Sequence, residues 1–165
     1  MSTEIHQDIN KAILIVRDAG RWLKESGKNP SKWWLLKNLN KKFLLKYAKP
    51  EEFYVALVDN KPAAAAVLQF SQKAQDWKSI DKDKLKSVLY IHWLCVHRKF
   101  AGKGFPKIMV DFAEKLAKEK NVKLLRADTN AKEMKLRKIY EDLGFNFVGV
   151  EQENYRHTAF FQKKI

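Results

Sequence analysis

Residues 92–110 read H-W-L-C-V-H-R-K-F-A-G-K-G-F-P-K-I-M-V, and the rest of the chain is interpreted from this stretch. Residues 88–96 are apolar apart from His92, which is typical of a strand buried on both faces. A basic turn with two glycines follows, and Pro106 suits the first turn of a helix. Exposed N–H groups at a helix N-terminus favour bound anions. We therefore predict a phosphate-binding turn between a strand and a helix.

The charge around this turn is more informative than the charge of the whole chain. The formal net charge of +14 comes mostly from lysines dispersed along the sequence, which is typical of a solvated surface. Residues 97–107 contain no acid and carry Arg98, Lys99, Lys103 and Lys107. The turn lacks the third glycine of a dinucleotide fingerprint and the G-K-[ST] of a P-loop, which excludes both. The alternative is a structural turn that binds nothing.

Length and composition set the class of protein. The chain of 165 residues with 45% hydrophobic residues fits a single domain with a substantial core. Cys95 is the only cysteine, so an intramolecular disulfide and a cysteine-based zinc site are excluded. The four histidines are scattered, and we predict no metal site. The polar start and the lack of a long apolar run predict a cytoplasmic protein without a membrane partner.

Hydrophobic periodicity gives the order of the elements. Helical spacing predicts helices over residues 7–25, 31–47 and 106–120, and a further helix after Asn130. Residues 71–87 are polar and are predicted to be a surface excursion. The predicted strands are 53–58, 63–70, 88–96, 122–127, 146–151 and 156–163. The order is α-α-β-β-β-α-β-α-β-β, with a parallel crossover in the middle and antiparallel hairpins at both ends, which predicts a mixed α/β sheet.

Three motifs follow one another within residues 88–149: L-C-V at 94–96, A-G-K-G-F-P at 101–106 and I-Y-E-D-L-G-F at 139–145. With the order of the elements, they resemble the GNAT superfamily of N-acetyltransferases. Leu94-Cys95-Val96 matches the end of the family's central strand, and residues 101–106 (A-G-K-G-F-P) match its R/Q-x-x-G-x-G/A turn. Residues 139–145 (I-Y-E-D-L-G-F) match the helix ending that follows. The resemblance implies one GNAT-like acetyl-CoA-binding domain over residues 1–165, with a short or absent first strand.

Three positions depart from the family pattern. Ala101 stands where the family prefers Arg or Gln. Pro106 stands where it prefers Gly or Ala, so one N–H that could face a phosphate is missing. Glu133 lies seven residues before Tyr140, where Asn is usual, and Asn130 is close enough to replace it through a different helix start.

The resemblance implies an N-acetyltransferase that moves an acetyl group from acetyl-CoA directly to a primary amine, without a covalent enzyme intermediate. In the family, a bulge in the central strand frees main-chain groups for the pantetheine arm and the thioester carbonyl. The implied acetyl-CoA contacts are Leu94, Val96, Ala101, Gly102, Lys103, Gly104, Phe105, Asn130 and Arg137.

Two side chains are candidates for proton transfer. Tyr140 matches the family's proton donor to the departing thiolate, and a phenol with a pKa of about 10 is protonated at neutral pH. His92 is the candidate base, because period-2 alternation places it on the face of Leu94 and Val96 and opposite Cys95. Both side chains could instead be ordinary core residues. Further candidates for the base are Glu52 and Glu133.

The acceptor amine, a small molecule or a peptide, is not specified by the sequence. Trp33, Trp34 and residues 71–87 lie where family members often build the acceptor side, although both tryptophans could be helix packing. A polyamine acceptor is disfavoured by the basic chain. One rival is a GNAT-fold module without catalysis. Another is a nucleic-acid-binding protein, disfavoured because the basic residues are dispersed and the tryptophans form no basic–aromatic repeat. The chain is expected to be a monomer or a homodimer.

Overall fold

The computed structural model describes residues 2–28, 31–71, 77, 80, 87–153 and 156–165. The predicted surface excursion at 71–87 therefore lies mostly outside the described residues. The chain folds as two compact units, one of residues 1–68 with 93–112 and the other of residues 69–92 with 113–165. In the described part of the chain, no helix is both long enough and apolar enough to cross a bilayer.

The first unit is built on a hairpin and a long helix. In it, β1 pairs antiparallel with β2, and β2 pairs antiparallel with β3. Asp59 and Asn60 have φ of 47° and 66°, the left-handed pair that a two-residue hairpin turn requires. The elements are β1 (Thr3–Gln7), α1 (Ile9–Glu25), α2 (Lys41–Leu44), β2 (Phe53–Val58), β3 (Lys61–Gln69), the end of β4 (Leu89–Val96) and the start of α3 (Phe105–Glu119).

α1 supplies the core of this unit. Asp8 caps the helix, as predicted, through Oδ1, which accepts the N–H of Lys11 at 3.0 Å. The buried face of α1 packs on β2 and β3, and each large apolar side chain removed from water contributes about 1.5–3 kcal/mol. The buried cluster consists of Ala12, Ile15, Val16, Leu39, Leu44, Ala48, Phe53, Val55, Leu57, Ala65, Val67 and Cys95.

The segment between α1 and β2 differs from the prediction. A single helix over residues 31–47 is wrong, because the chain forms two short 3₁₀ turns, Lys32–Trp34 and Leu36–Asn38, before the four-residue α2. Leu35 is extended between the turns, and Asn40 starts α2 by accepting the N–H of Phe43 at 3.0 Å. Asparagine bonds to nearby main chain, so it ends one helix and begins another.

The second unit contains the parallel pair. Leu89–Ile91 of β4 lie parallel to Leu125–Ala127 of β5, as the crossover predicts. β7 pairs antiparallel with both β5 and β6. This unit consists of the start of β4, the rest of α3, β5 (Leu124–Asn130), α4 (Met134–Asp142), β6 (Asn146–Glu153) and β7 (Arg156–Lys164).

Seven strands are described, in the order β1-β2-β3 in the first unit and β4-β5-β7-β6 in the second. The predicted mixed α/β fold is confirmed. The first strand, predicted to be short or absent, is present and has five residues. It was hidden because helical spacing already begins at Gln7, the last residue of β1.

Candidate functional site

The glycine turn of the first unit has the backbone that a ligand site requires. Gly102 and Gly104 have φ of 76° and 80°, a left-handed conformation that side chains rarely adopt. No atom lies within 4 Å of where a Cβ would stand on either glycine. Residues 101–104 are all exposed. The turn can therefore bring main-chain groups close to a bound molecule.

The N–H groups of this turn remain available. Ile108 is the first residue of α3 to donate to the turn, reaching the carbonyl of Gly104 at 3.2 Å, and Pro106 has no N–H to offer. In the part of the chain that the structure describes, the N–H groups of residues 102–105 and of Lys107 donate to no protein acceptor. These donors stand at the positive end of a fifteen-residue helix. A phosphate group would satisfy them.

The strand before the turn carries a local distortion. Trp93 has φ of 48°, which is unusual for a bulky residue and marks a strained position in β4. The alternation that placed His92 on one face with Leu94 and Val96 is thus interrupted one residue after His92. Leu94 and Val96 are half-buried. A break at this point agrees with the bulge that the resemblance implies.

Cys95 is an unreactive core residue. It is buried among the apolar side chains of the first unit. Burial raises the pKa of its thiol far above the ordinary value, and the negative charge of Asp18 raises it further. A thiol that stays protonated is a poor nucleophile, which agrees with its exclusion from the mechanism.

In the second unit, His92 faces an aspartate that the sequence analysis did not assign to the site. Nδ1 of His92 lies 4.0 Å from Oδ2 of Asp128, and the two side chains are 19% and 12% exposed. The imidazole stacks on Tyr90 with an interplanar angle of 7°. The parallel register was the missing signal, because Ile91 lies opposite Ala127 and the next residues are His92 and Asp128.

Tyr140 lies in an aromatic environment. It is buried, with an edge-on contact to Phe145 and a stacked contact to Phe161, each with 5.6 Å between ring centroids. This packing is typical of a core residue, and it also holds the ring in one orientation, which a proton donor would need. Its role as proton donor stays a prediction.

Asn130 and Arg137 make local contacts in the second unit. Oδ1 of Asn130 accepts the N–H of Lys132 at 3.0 Å, and its carbonyl accepts the N–H of Glu133. Arg137 donates to the carbonyl of Ala131 at 3.1 Å, and its guanidinium lies 4.7 Å from the ring centroid of Phe147. Both help to shape the segment from β5 to α4. Their predicted cofactor contacts are not tested by these bonds.

The other candidate bases have structural positions. Oε1 of Glu52 accepts the N–H of Lys49 at 2.7 Å and closes the short turn Pro50–Glu52. Glu133 stands at the N-cap of α4, where its side chain makes no capping bond.

An aromatic cluster surrounds Trp93 in the first unit. The Trp33 ring lies 4.4 Å from that of Tyr47 and 6.4 Å from that of Trp93, centroid to centroid. The indole N–H of Trp93 donates to the carbonyl of Trp33 at 3.1 Å. Trp34 instead packs on the core beneath α1. Phe43, at 5.3 Å from Tyr47, completes the cluster.

The site residues therefore fall into two groups, each described within its own unit. The first unit holds the end of β4, the glycine turn and the aromatic cluster. The second holds His92 with Asp128, Tyr140, Asn130 and Arg137.

Comparison with known families agrees with this arrangement. Residues 16–145 match the model of the acetyltransferase (GNAT) family. The chain belongs to the GNAT family. The match includes the strand distorted at Trp93, the glycine turn and the Y-E-D-L-G-F helix ending, so the predicted family is confirmed.

Other GNAT proteins resemble the whole chain. An uncharacterized N-acetyltransferase, YesJ of Bacillus subtilis (strain 168), is 28% identical over 153 residues, covering 92% of this chain and 82% of YesJ. A GNAT acetyltransferase from Listeria monocytogenes 4b F2365 superposes with a TM-score of 0.72 at 24% identity, covering 99% of this chain and 95% of its own. The PaiA N-acetyltransferase of Thermoplasma acidophilum, solved with coenzyme A, gives 0.72 at 17% identity over the full length of both.

Proposed function

We propose that this GNAT chain is an acetyltransferase that moves the acetyl group of acetyl-CoA directly to a primary amine. The observation that carries the proposal is the turn at residues 101–105. A pyrophosphate needs the left-handed glycines of this turn and the N–H groups of residues 102–105, which donate to no acceptor among the described residues. The coenzyme A bound to the PaiA protein of Thermoplasma acidophilum supports the choice of ligand.

The cofactor would be held mainly by main chain. The N–H groups of residues 102–105 would bind the pyrophosphate, and Lys103 would add a point charge. Leu94 and Val96, which follow the distortion at Trp93, would offer main-chain groups to the pantetheine arm and the thioester carbonyl. We place Asn130 and Arg137 among the cofactor contacts on the strength of the family pattern.

The chemistry requires the acceptor nitrogen to lose two protons between ammonium and amide, and the sulfur to gain one. The amine nitrogen attacks the thioester carbon, the C–S bond breaks, and the thiolate of CoA leaves. His92 would take a proton from the acceptor ammonium before the attack, directly or through a water, and Asp128 would orient its imidazole. The phenol of Tyr140 would give a proton to the departing sulfur. Neither step requires a metal or a covalent enzyme intermediate.

The aromatic cluster of Trp33, Phe43, Tyr47 and Trp93 suits the acceptor side. It adjoins Leu94 in the chain, and Lys32 and Lys46 stand over the rings of Trp33 and Phe43, 4.8 and 5.8 Å from the centroids. Cations already at these rings disfavour a polyamine acceptor. A single domain over residues 1–165, a monomeric or dimeric state and a cytoplasmic location remain predictions.

Calorimetry with acetyl-CoA and thiol-release assays with a panel of amines test the proposal. We expect saturable binding in the micromolar range and turnover with at least one primary amine. Binding without turnover would instead support a non-catalytic module, the rival that the missing N–H of Pro106 favours. The absence of any acetyl-CoA binding would contradict both.

A further inference from the structure

Arg98, at the start of the 3₁₀ turn Arg98–Phe100, is held by two residues of α1. Oδ2 of Asp18 accepts the main-chain N–H of Arg98 at 3.0 Å. Trp22, one helical turn further along α1, lies against the guanidinium, with 4.6 Å from Cζ to the ring. The main chain and the side chain of Arg98 are therefore both fixed from one face of the same helix.

The stacked guanidinium keeps its donors available. An arginine that stacks on an aromatic ring uses its flat face, so the N–H groups along its edge can still bind an anion. Arg98 is exposed, and no carboxylate among the described residues forms an ion pair with its guanidinium. By contrast, Lys107 is paired with Asp111 at 2.6 Å.

The carboxylate of Asp18 contacts a second residue of the segment before the glycine turn. Besides the N–H of Arg98, it contacts Nε2 of His97, 3.5 Å from Oδ1. Nδ1 of His97 in turn accepts the N–H of Lys99 at 3.2 Å. An acid beside a phosphate site disfavours anion binding electrostatically. Here its contacts fix the chain that leads into the glycine turn.

Arg98 also contacts Ala101, which stands where the family prefers Arg or Gln. Its carbonyl accepts the N–H of Ala101 at 3.2 Å. Ala101 stands at the first position of the turn motif and has no charge. A guanidinium three residues earlier, supported by Trp22, can replace that charge, and its planar fork can donate two hydrogen bonds to one phosphate.

We propose that Arg98 binds a phosphate group of acetyl-CoA and that Asp18 and Trp22 are its positioning residues. This inference rests on the proposed function, because it assumes that the turn binds acetyl-CoA. Arg98 would supply the positive charge that Ala101 lacks, and α1 would take part in cofactor binding because it positions Arg98.

The test compares Arg98→Gln with Arg21→Gln in the full chain. Arg21 is an exposed arginine of α1 whose side chain has no hydrogen bond, ion pair or ring contact among the described residues, so each variant loses one positive charge. We expect Arg98→Gln to weaken acetyl-CoA binding by on the order of tenfold, since hydrogen bonds to charged groups are lost. Arg21→Gln should bind as the unaltered chain does. With S-acetylpantetheine, which lacks the phosphates, Arg98→Gln should lose nothing.

The positioning residues are tested by a split between KM and kcat. Trp22→Leu and Asp18→Ala should raise the KM for acetyl-CoA while kcat at saturation stays unchanged. Trp22→Phe, which keeps a ring, and Asp18→Asn, which keeps an acceptor for the Arg98 N–H, should restore most of the affinity. Circular dichroism and thermal melting show that each variant is folded.

Two results would overturn the inference and are distinguishable from each other. If Arg98→Gln and Arg21→Gln bind acetyl-CoA equally well, Arg98 is not a phosphate ligand, and the proposed function stands without it. If the unaltered chain binds no acetyl-CoA at all, the inference and the proposed function fail together.

Discussion

His92 and Asp128 face each other on adjacent parallel strands, with 4.0 Å between Nδ1 and Oδ2. A carboxylate beside one ring nitrogen can orient an imidazole. The other nitrogen is then the one that can accept a proton from a substrate. This pair gives the proposed base a partner that the sequence alone did not identify.

Replacing His92 with Gln should lower kcat by about 10²–10⁴, the usual contribution of a proton-transfer group. Asp128→Asn should lower it by less, because the imidazole remains but loses its orienting charge. Steady-state kinetics measures both, and calorimetry should find unchanged acetyl-CoA affinity. Equal activity of His92→Gln and the unaltered chain would leave His92 as a core histidine.

Tyr140→Phe should lower kcat by about tenfold to a hundredfold, near the lower end for acid–base groups, because a thiolate leaves tolerably well without help. The ring contacts with Phe145 and Phe161 do not need the hydroxyl and should survive the substitution, so circular dichroism should show a folded variant. Kinetics at saturating acetyl-CoA is the measurement. An unchanged rate removes Tyr140 from the mechanism.

Alanine at Gly102 or Gly104 should reduce acetyl-CoA affinity by more than it reduces stability. A left-handed φ disfavours alanine by about 1–2 kcal/mol, but no neighbouring atom obstructs the new methyl group. In the complex, the methyl group would stand where the pyrophosphate must approach. Gly27→Ala is the matched control, since Gly27 has φ of 70° and equally open surroundings. It should lose similar stability and no affinity.

Gly20→Ala should destabilise the first unit. A Cβ on Gly20 would clash with Cδ1 of Leu39, which is fully buried. Overpacking of this kind costs about 1–3 kcal/mol and outweighs the gain of about 1 kcal/mol in helix propensity. Urea denaturation measures the loss. The double variant with Leu39→Ala should lose less than the sum of the single variants, because the clash disappears. Additive losses would contradict the close contact.

Cys95 should make stability depend on pH in the alkaline range. Burial raises its pKa in the folded chain, whereas the unfolded thiol ionises at about 8.5. Protons are therefore released on unfolding above that pH, and the free energy of unfolding should fall as pH rises. Denaturation between neutral and alkaline pH, repeated with Cys95→Val, measures the effect. The variant should lack the thiol's share of the slope.

Much of the fold could be predicted because its signals are local. The cap at Asp8, the apolar strand before the glycine turn and the ending at Phe145 follow from residue type and spacing. The segment at 31–47 could not, because a sequence of leucines and lysines with helical spacing does not show that Leu35 is extended or that Asn40 restarts the helix. Tertiary packing decides such short segments.

The main-chain part of the site could be predicted from the sequence. The contacts between side chains of different segments were harder to predict. Gly102 and Gly104 indicate their own conformation. The role of Asp128 follows only from its register beside His92, and that of Trp22 only from its contact with Arg98. Both depend on pairings between segments distant in sequence, which residue spacing does not reveal.

The N–H groups of residues 102–105, which have no acceptor among the described residues, make this site tolerant of side-chain substitutions. A main-chain donor is the same whichever side chain its residue carries. Substitutions at the exposed Ala101 and Lys103 can therefore accumulate while the glycines stay fixed, and affinity for an anion can persist after the motif has become hard to read. In such a turn, the backbone torsion angles can retain the capacity to bind an anion after the sequence motif itself has changed.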